Sequence, residues 1–134
     1  MRPNQNDNMN TVISTQDAPT PVGPYSQAIR TGATVYCAGQ IPVDPKTEEL
    51  VAGDIANQTQ RVLENLRAVL AAANLGTADI VKTTVFLADL NDYQAMNEVY
   101  GGFFGDRAPA RTTIAVAGLP GGARIEIDAI AVSG

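Results

Sequence analysis

Between Ile55 and Ala73 the apolar residues recur at helical intervals, whereas from Ile125 to Val132 they alternate with small or polar ones. In the first stretch Ile55, Val62, Leu66, Val69 and Ala73 form one stripe, widened by Leu63 and Leu70, which predicts an amphipathic helix. Asp54 is a good N-cap for it, and Asn74 and Gly76 end it. A second helix is predicted from the stripe Tyr93, Met96, Tyr100 and Phe104. Asn91 and Gln94 stand at capping-box spacing before it, and Gly101-Gly102 weakens its last turn. Strands are predicted at Thr11–Ser14, Ala28–Thr31, Val35–Gln40, Val81–Ala88, Arg111–Val116 and Ala123–Val132. Pro19, Pro21, Gly23 and Pro24 mark an irregular loop, and Pro42 to Lys46 reads as a turn.

Strands, helix, strand, helix, strands is the order of an α+β layer, with two helices on one face of a single sheet. In the last strand Ile125, Ile127, Ala129 and Ala131 share the face expected under the helices, leaving Glu126, Asp128, Ile130 and Val132 on the other. A tight hairpin at Leu119–Gly122 would put Arg111, Thr113 and Ala115 on the Glu126 side, an expectation that a one-residue slip reverses. The uncovered face needs a partner, which points to an oligomer.

At 134 residues the chain suits one domain, taken as 11–134, with residues 1–10 an Asn-rich disordered lead and Met9 an alternative start. That lead has no apolar core of a signal peptide and no apolar run is long enough to span a membrane, so a cytoplasmic location is expected. A net charge of −5 argues against binding a phosphate backbone, in nucleic acid or elsewhere. The single cysteine, Cys37, cannot form an intramolecular disulfide and reads as a small core hydrophobe. The chain has no histidine, which removes the catalytic triad, the Cys-His pair and His-containing metal sites together. Catalysis would then rest on carboxylates, Arg, Lys, hydroxyls or backbone groups, and no metal or cofactor is expected.

Arg111 follows Pro109-Ala110 at a strand start, where its planar fork can grip a carboxylate. Most such arginines only form a surface ion pair contributing about 0–1 kcal/mol. Glu126 is the matching candidate for managing a water molecule, set against a merely solvated carboxylate. Asn97 falls on the apolar stripe of the second helix, where an Asn usually satisfies loop backbone. Tyr25 is either a loop anchor or a pocket wall.

Several segments together resemble the RidA/YjgF family of imine deaminases. They are Gly23-Pro24-Tyr25-Ser26-Gln27-Ala28, Gly39-Gln40-Ile41-Pro42, Asp79 to Phe86, Asn97 with Tyr100, Pro109-Ala110-Arg111 and Ile125-Glu126-Ile127 through Ala131. The resemblance runs from about Ile13 to the end of the chain. It implies a chorismate-mutase-like α+β fold and a homotrimer with sites in the clefts between subunits. The implied reaction is hydrolysis of 2-imino acids and their enamine tautomers to 2-keto acids and ammonia. By position, Arg111 would hold the substrate carboxylate and Glu126 would position and help activate water. Tyr25 would line the pocket, Asn97 would support it, and the Gly39 backbone would polarise the reacting centre. The chain has Ala38 where the family often has Ser, and Thr113 where it often has Cys, which leaves only hydroxyl and backbone groups at that binding position. Glu48 replaces a common turn Gly. The alternative is a non-catalytic trimer that senses small carboxylates or protects other proteins. The family's frequent ribonuclease label suits poorly an acidic chain without His.

Overall fold

The computed structural model describes residues 10–134, so the expected lead lies outside the described residues except for Asn10, which belongs to the first strand. The strands are β1 (Asn10–Ile13), β2 (Ala28–Thr31), β3 (Thr34–Gln40), β4 (Val43–Asp44), β5 (Glu49–Leu50), β6 (Ile80–Leu87), β7 (Ala110–Ala115) and β8 (Ile125–Val132). The helices are α1 (Ile55–Ala72) and α2 (Tyr93–Phe104). One six-stranded sheet runs in the order β1-β2-β3-β8-β6-β7, and β4 and β5 form a small separate hairpin over what reads in sequence as a bare turn.

α1 begins where the sequence places it, with the Asp54 carboxylate accepting the Asn57 N–H at 2.9 Å. At its end Asn74 takes a φ of 61°, and the Leu75 N–H returns to the Leu70 carbonyl at 2.9 Å. Arg30 reaches from β2 to donate to the Ala73 carbonyl, satisfying a group the helix leaves open. The helix buries Val62, Leu63, Leu66, Val69 and Leu70 against β3 and β8 and packs beside α2. Val35, Val85, Leu87, Ile125 and Ile127 supply the sheet side of this core.

The start of α2 differs from the expected capping box. Asp89, not Asn91, does the capping, and it caps a short 3-10 turn over Leu90–Asp92 by accepting the Asn91 N–H at 2.9 Å. α2 then follows directly from Asp92, whose carboxylate is turned away from the helix toward Arg124. A preceding helical turn already orients the first N–H groups, so no side-chain box is required there.

The expected hairpin between the last two long strands does not form. β7 pairs in parallel with β6, reached through the α2 crossover, and β8 is inserted between β3 and β6. Pro120–Gly122 instead make a 3-10 turn with φ of 67° and 78° at the two glycines. The segment passes over the end of β6, where Val116 N–H meets the Leu87 carbonyl and Ala88 N–H meets the Arg124 carbonyl. A strand–helix–strand unit returns its second strand parallel to the first, and that geometry overrides the local turn signal.

The register corrects the expected faces. Thr83 stands opposite both Arg111 and Ala129, and Val85 opposite both Thr113 and Ile127. Arg111, Thr113 and Ala115 therefore share the helix-covered face. Glu126 pairs with Phe86 and Asp128 with Thr84 on the open face, beside the exposed side chains of Tyr36, Ile114 and Val132.

Candidate active site

Two clusters carry the chemistry, one on each face of the sheet. The first surrounds Arg111. Its Nη2 donates to the Tyr93 hydroxyl at 3.2 Å and its Nη1 lies 3.8 Å from the Met96 sulfur. The guanidinium sits over the rings of Tyr100 and Tyr93, with its carbon 4.8 and 5.6 Å from the two centroids. No carboxylate pairs with it among the described residues; the ion pairs there are Arg67–Glu64 and Arg124–Asp92. Tyr100 is anchored by a 2.6 Å hydrogen bond to Thr83, and burial raises its hydroxyl pKa, offset in part by that bond and by the Arg111 charge.

Asn97 lies between Tyr93 and Tyr100 on α2, and Thr113 lies two residues beyond Arg111 on the same face of β7. The Asn97 Oδ1 and the Thr113 Oγ1 are both buried without a hydrogen-bond partner among the described residues. Buried polar atoms are nearly always satisfied, so these two are unusual; the Thr59 Oγ1 on α1 is a third of the same kind among the described residues.

The second cluster surrounds Glu126. A cleft of about 310 Å³ is lined by Val22, Tyr25, Ala38, Gly39, Ile41, Pro120 and Glu126. The β3–β8 ladder shifts register between Cys37 and Gln40, which releases Ala38 and Gly39 from pairing with β8. Glu126 fills the space so gained, and a Cβ on Gly39 would collide with its carboxylate. Tyr25 is half exposed at the rim. Burial first, and the neighbouring Asp128 charge second, raise the Glu126 carboxyl above its ordinary value. Asp128 is itself engaged, accepting the Thr84 N–H at 3.0 Å. Cys37 is buried with its thiol pushed up to about 12 by burial and by Asp128, which makes it an inert core residue.

Side chains from the core hold this loop in place. Buried Asn65 on α1 donates to the Ile41 and Val43 carbonyls at 3.2 and 2.9 Å. Buried Gln27 fixes the Pro-rich loop through Thr15, Ala18 and Pro19. These supports escaped the sequence reading, although a polar Asn within an otherwise apolar helical face was a usable signal. Tyr93 and Met96 entered that reading as apolar stripe only, and Tyr100 as stripe and as part of the family resemblance; their contacts with Arg111 are new.

The sequence profile described as Endoribonuclease L-PSP matches residues 15–133. The chain belongs to the RidA/YjgF family. Among its Rid relatives, the human 2-iminobutanoate/2-iminopropanoate deaminase is 46% identical over 92% of this chain and 90% of its own length. A RutC family protein of Pyrococcus horikoshii is 54% identical over 92% of this chain and 98% of its own. Among solved Rid-type structures, Escherichia coli TdcF with bound serine superposes with a TM-score of 0.89 at 45% identity, covering 92% of this chain and 99% of that one. Rid family membership thus rests on nearly the whole domain.

Proposed function

We propose that this chain hydrolyses reactive 2-imino acids and their enamine tautomers to 2-keto acids and ammonia. The observation that carries the reading is Arg111, a guanidinium oriented by two aromatic rings and a sulfur with no acid beside it among the described residues. A fork of that kind receives a carboxylate through two parallel charge-assisted bonds. The names of the human, mouse and rat relatives support the same substrate class.

Glu126 supplies the other half. Water adds to the imine carbon as the carboxylate takes one of its protons, and the carbinolamine nitrogen receives a proton. The carbinolamine hydroxyl then gives up the second water proton, which the same carboxylate passes to the nitrogen as the C–N bond breaks, so the carbonyl forms and ammonia leaves carrying both protons. A carboxylate whose affinity for protons is raised by burial is a better base for the first step and returns the proton in the second. An imine carbon is already electrophilic, so positioning and modest proton transfer suffice.

Arg111 and Glu126 stand two strands, about 10 Å, apart across the sheet, are offset along β6 from Thr83 to Phe86, and lie on opposite faces. One chain cannot apply both to one small substrate. In the proposed homotrimer, Arg111, Asn97 and Thr113 of one subunit meet Glu126, Tyr25 and Gly39 of another, and the exposed Tyr36, Ile114 and Val132 are covered.

The test is an amino-acid oxidase that generates 2-iminobutanoate in the presence of semicarbazide. The protein should divert imine from the semicarbazone, and Arg111→Ala should cut that activity by about 10- to 100-fold, the loss of a charge-assisted contact. Unchanged semicarbazone at stoichiometric protein would refute the reading.

A further inference from the structure

We infer that the Tyr93 hydroxyl is a second hydrogen-bonding arm of the carboxylate receptor, donating to the substrate oxygen that Arg111 does not fully engage. This rests on the proposed carboxylate-binding role of Arg111. Arginine has no acceptor, so the 3.2 Å contact fixes the direction: Nη2 donates and the Tyr93 oxygen accepts. The phenolic proton must then point elsewhere. Among the described residues it meets no protein acceptor, and the side chain is 42% exposed. A hydroxyl that accepts a charge-assisted bond is polarised into a stronger donor. The neighbouring aromatic shows the contrast. The Tyr100 hydroxyl is engaged by Thr83 at 2.6 Å, so that residue offers Arg111 only its ring.

Tyr93 is also held in place. It opens α2, immediately after Asp92, whose carboxylate takes two bonds from Arg124 at 2.7 and 3.2 Å. Arg124 N–H is in turn bound by the Gln58 side chain of α1 at 2.9 Å. The first turn of α2 is therefore tied to β8 and α1, and little ordering is left for a ligand to impose on the hydroxyl. The site prefers a planar carboxylate with both oxygens on the fork and one of them also accepting the phenolic proton, as in a small 2-keto or 2-imino acid.

The experiment titrates 2-oxobutanoate into the wild-type oligomer, Tyr93→Phe and Arg111→Ala by calorimetry, with imine kinetics on the first two. Tyr93→Phe should weaken 2-oxobutanoate binding about 3- to 10-fold and raise KM by the same factor with kcat nearly constant, as expected for one lost hydrogen bond. Equal affinity of wild type and Tyr93→Phe would overturn the inference. If Arg111→Ala also bound as wild type, the carboxylate reading itself would fail. Should Tyr93→Phe fold poorly, wild-type protein carrying ¹³C-labelled tyrosine decides the matter. The Tyr93 Cζ resonance should move on saturation with 2-oxobutanoate, and a fixed resonance would refute the role.

Discussion

The Arg111 cluster and the Glu126 cleft are built in different ways. Arg111 is steered entirely by side chains: two aromatic rings, a hydroxyl and a thioether from one helix. Glu126 is steered by backbone, through a β-bulge and a glycine that makes room for its carboxylate. The first arrangement tolerates exchange of its aromatic and sulfur neighbours at graded cost. The second has almost no tolerance, because a single added methyl group on Gly39 occupies the space of the Glu126 carboxylate. The comparison also explains why burial acts oppositely on function. Burial would penalise Arg111 without a partner, and cation–π contacts offset this; at Glu126 the same desolvation raises basicity, which the proposed chemistry uses.

The sharpest test of the division is to break each half separately. Glu126→Gln should lose about 10²- to 10⁴-fold in imine hydrolysis, the range for a general base. Co-refolding it with Arg111→Ala should restore part of the activity, because some interfaces then pair an intact Arg111 with an intact Glu126. No recovery would place both groups of a site in one chain. The pH profile belongs to the same experiment. In the proposed mechanism the base form of Glu126 acts and its pKa is raised, so activity should fall, as pH is lowered, above the ordinary carboxylate range. Asp128→Asn removes a charge that raises this pKa, so that limb should move to lower pH.

A smaller loss is expected from Gly39→Ala. Its methyl group must displace the flexible end of Glu126 and not the backbone, so the fold should survive while activity falls at least about 10-fold. Circular dichroism and the semicarbazide assay together check this; full activity would mean that Glu126 works from a different position.

The smallest effect lies outside both clusters. Glu48 has a φ of 59° in the β4–β5 turn, which costs a non-glycine residue about 1–2 kcal/mol. Its carboxylate accepts the exposed Thr20 N–H at 3.2 Å, recovering part of that cost. Glu48→Gly should therefore raise stability by about 1 kcal/mol or less in urea unfolding and leave imine hydrolysis unchanged. A drop in stability would mean that the Thr20 contact outweighs the backbone cost.

Much of the fold was legible before the structure. The α1 stripe from Ile55 to Ala73 is long, strongly periodic and capped at Asp54, so both its existence and its start came out correctly. The alternation of Ile125, Ile127, Ala129 and Ala131 likewise identified the buried face of β8. The β7 strand resisted for a physical reason. In Ala110-Arg111-Thr112-Thr113-Ile114-Ala115 the largest apolar residue, Ile114, lies on the open face, so hydrophobicity does not report which side meets the helices. The candidate site residues were singled out chiefly through the family resemblance. The roles of Tyr93 and Met96 beside Arg111 were not legible, because an aromatic or Met in a helical stripe carries the same sequence signal whether it packs a core or cradles a cation.

By itself, then, the sequence determined which segments coil and which extend, and which residues share a face within any one strand, because those periodicities of 3.6 and 2 are properties of the local backbone. Only the tertiary structure decided which strands are neighbours, and with that the separation of Arg111 from Glu126. Relative faces between strands depend on ladder register and crossover, where pairs far apart in sequence stand opposite one another. A hairpin would have gathered both groups on one surface; the parallel β6–β7 pair puts them on two.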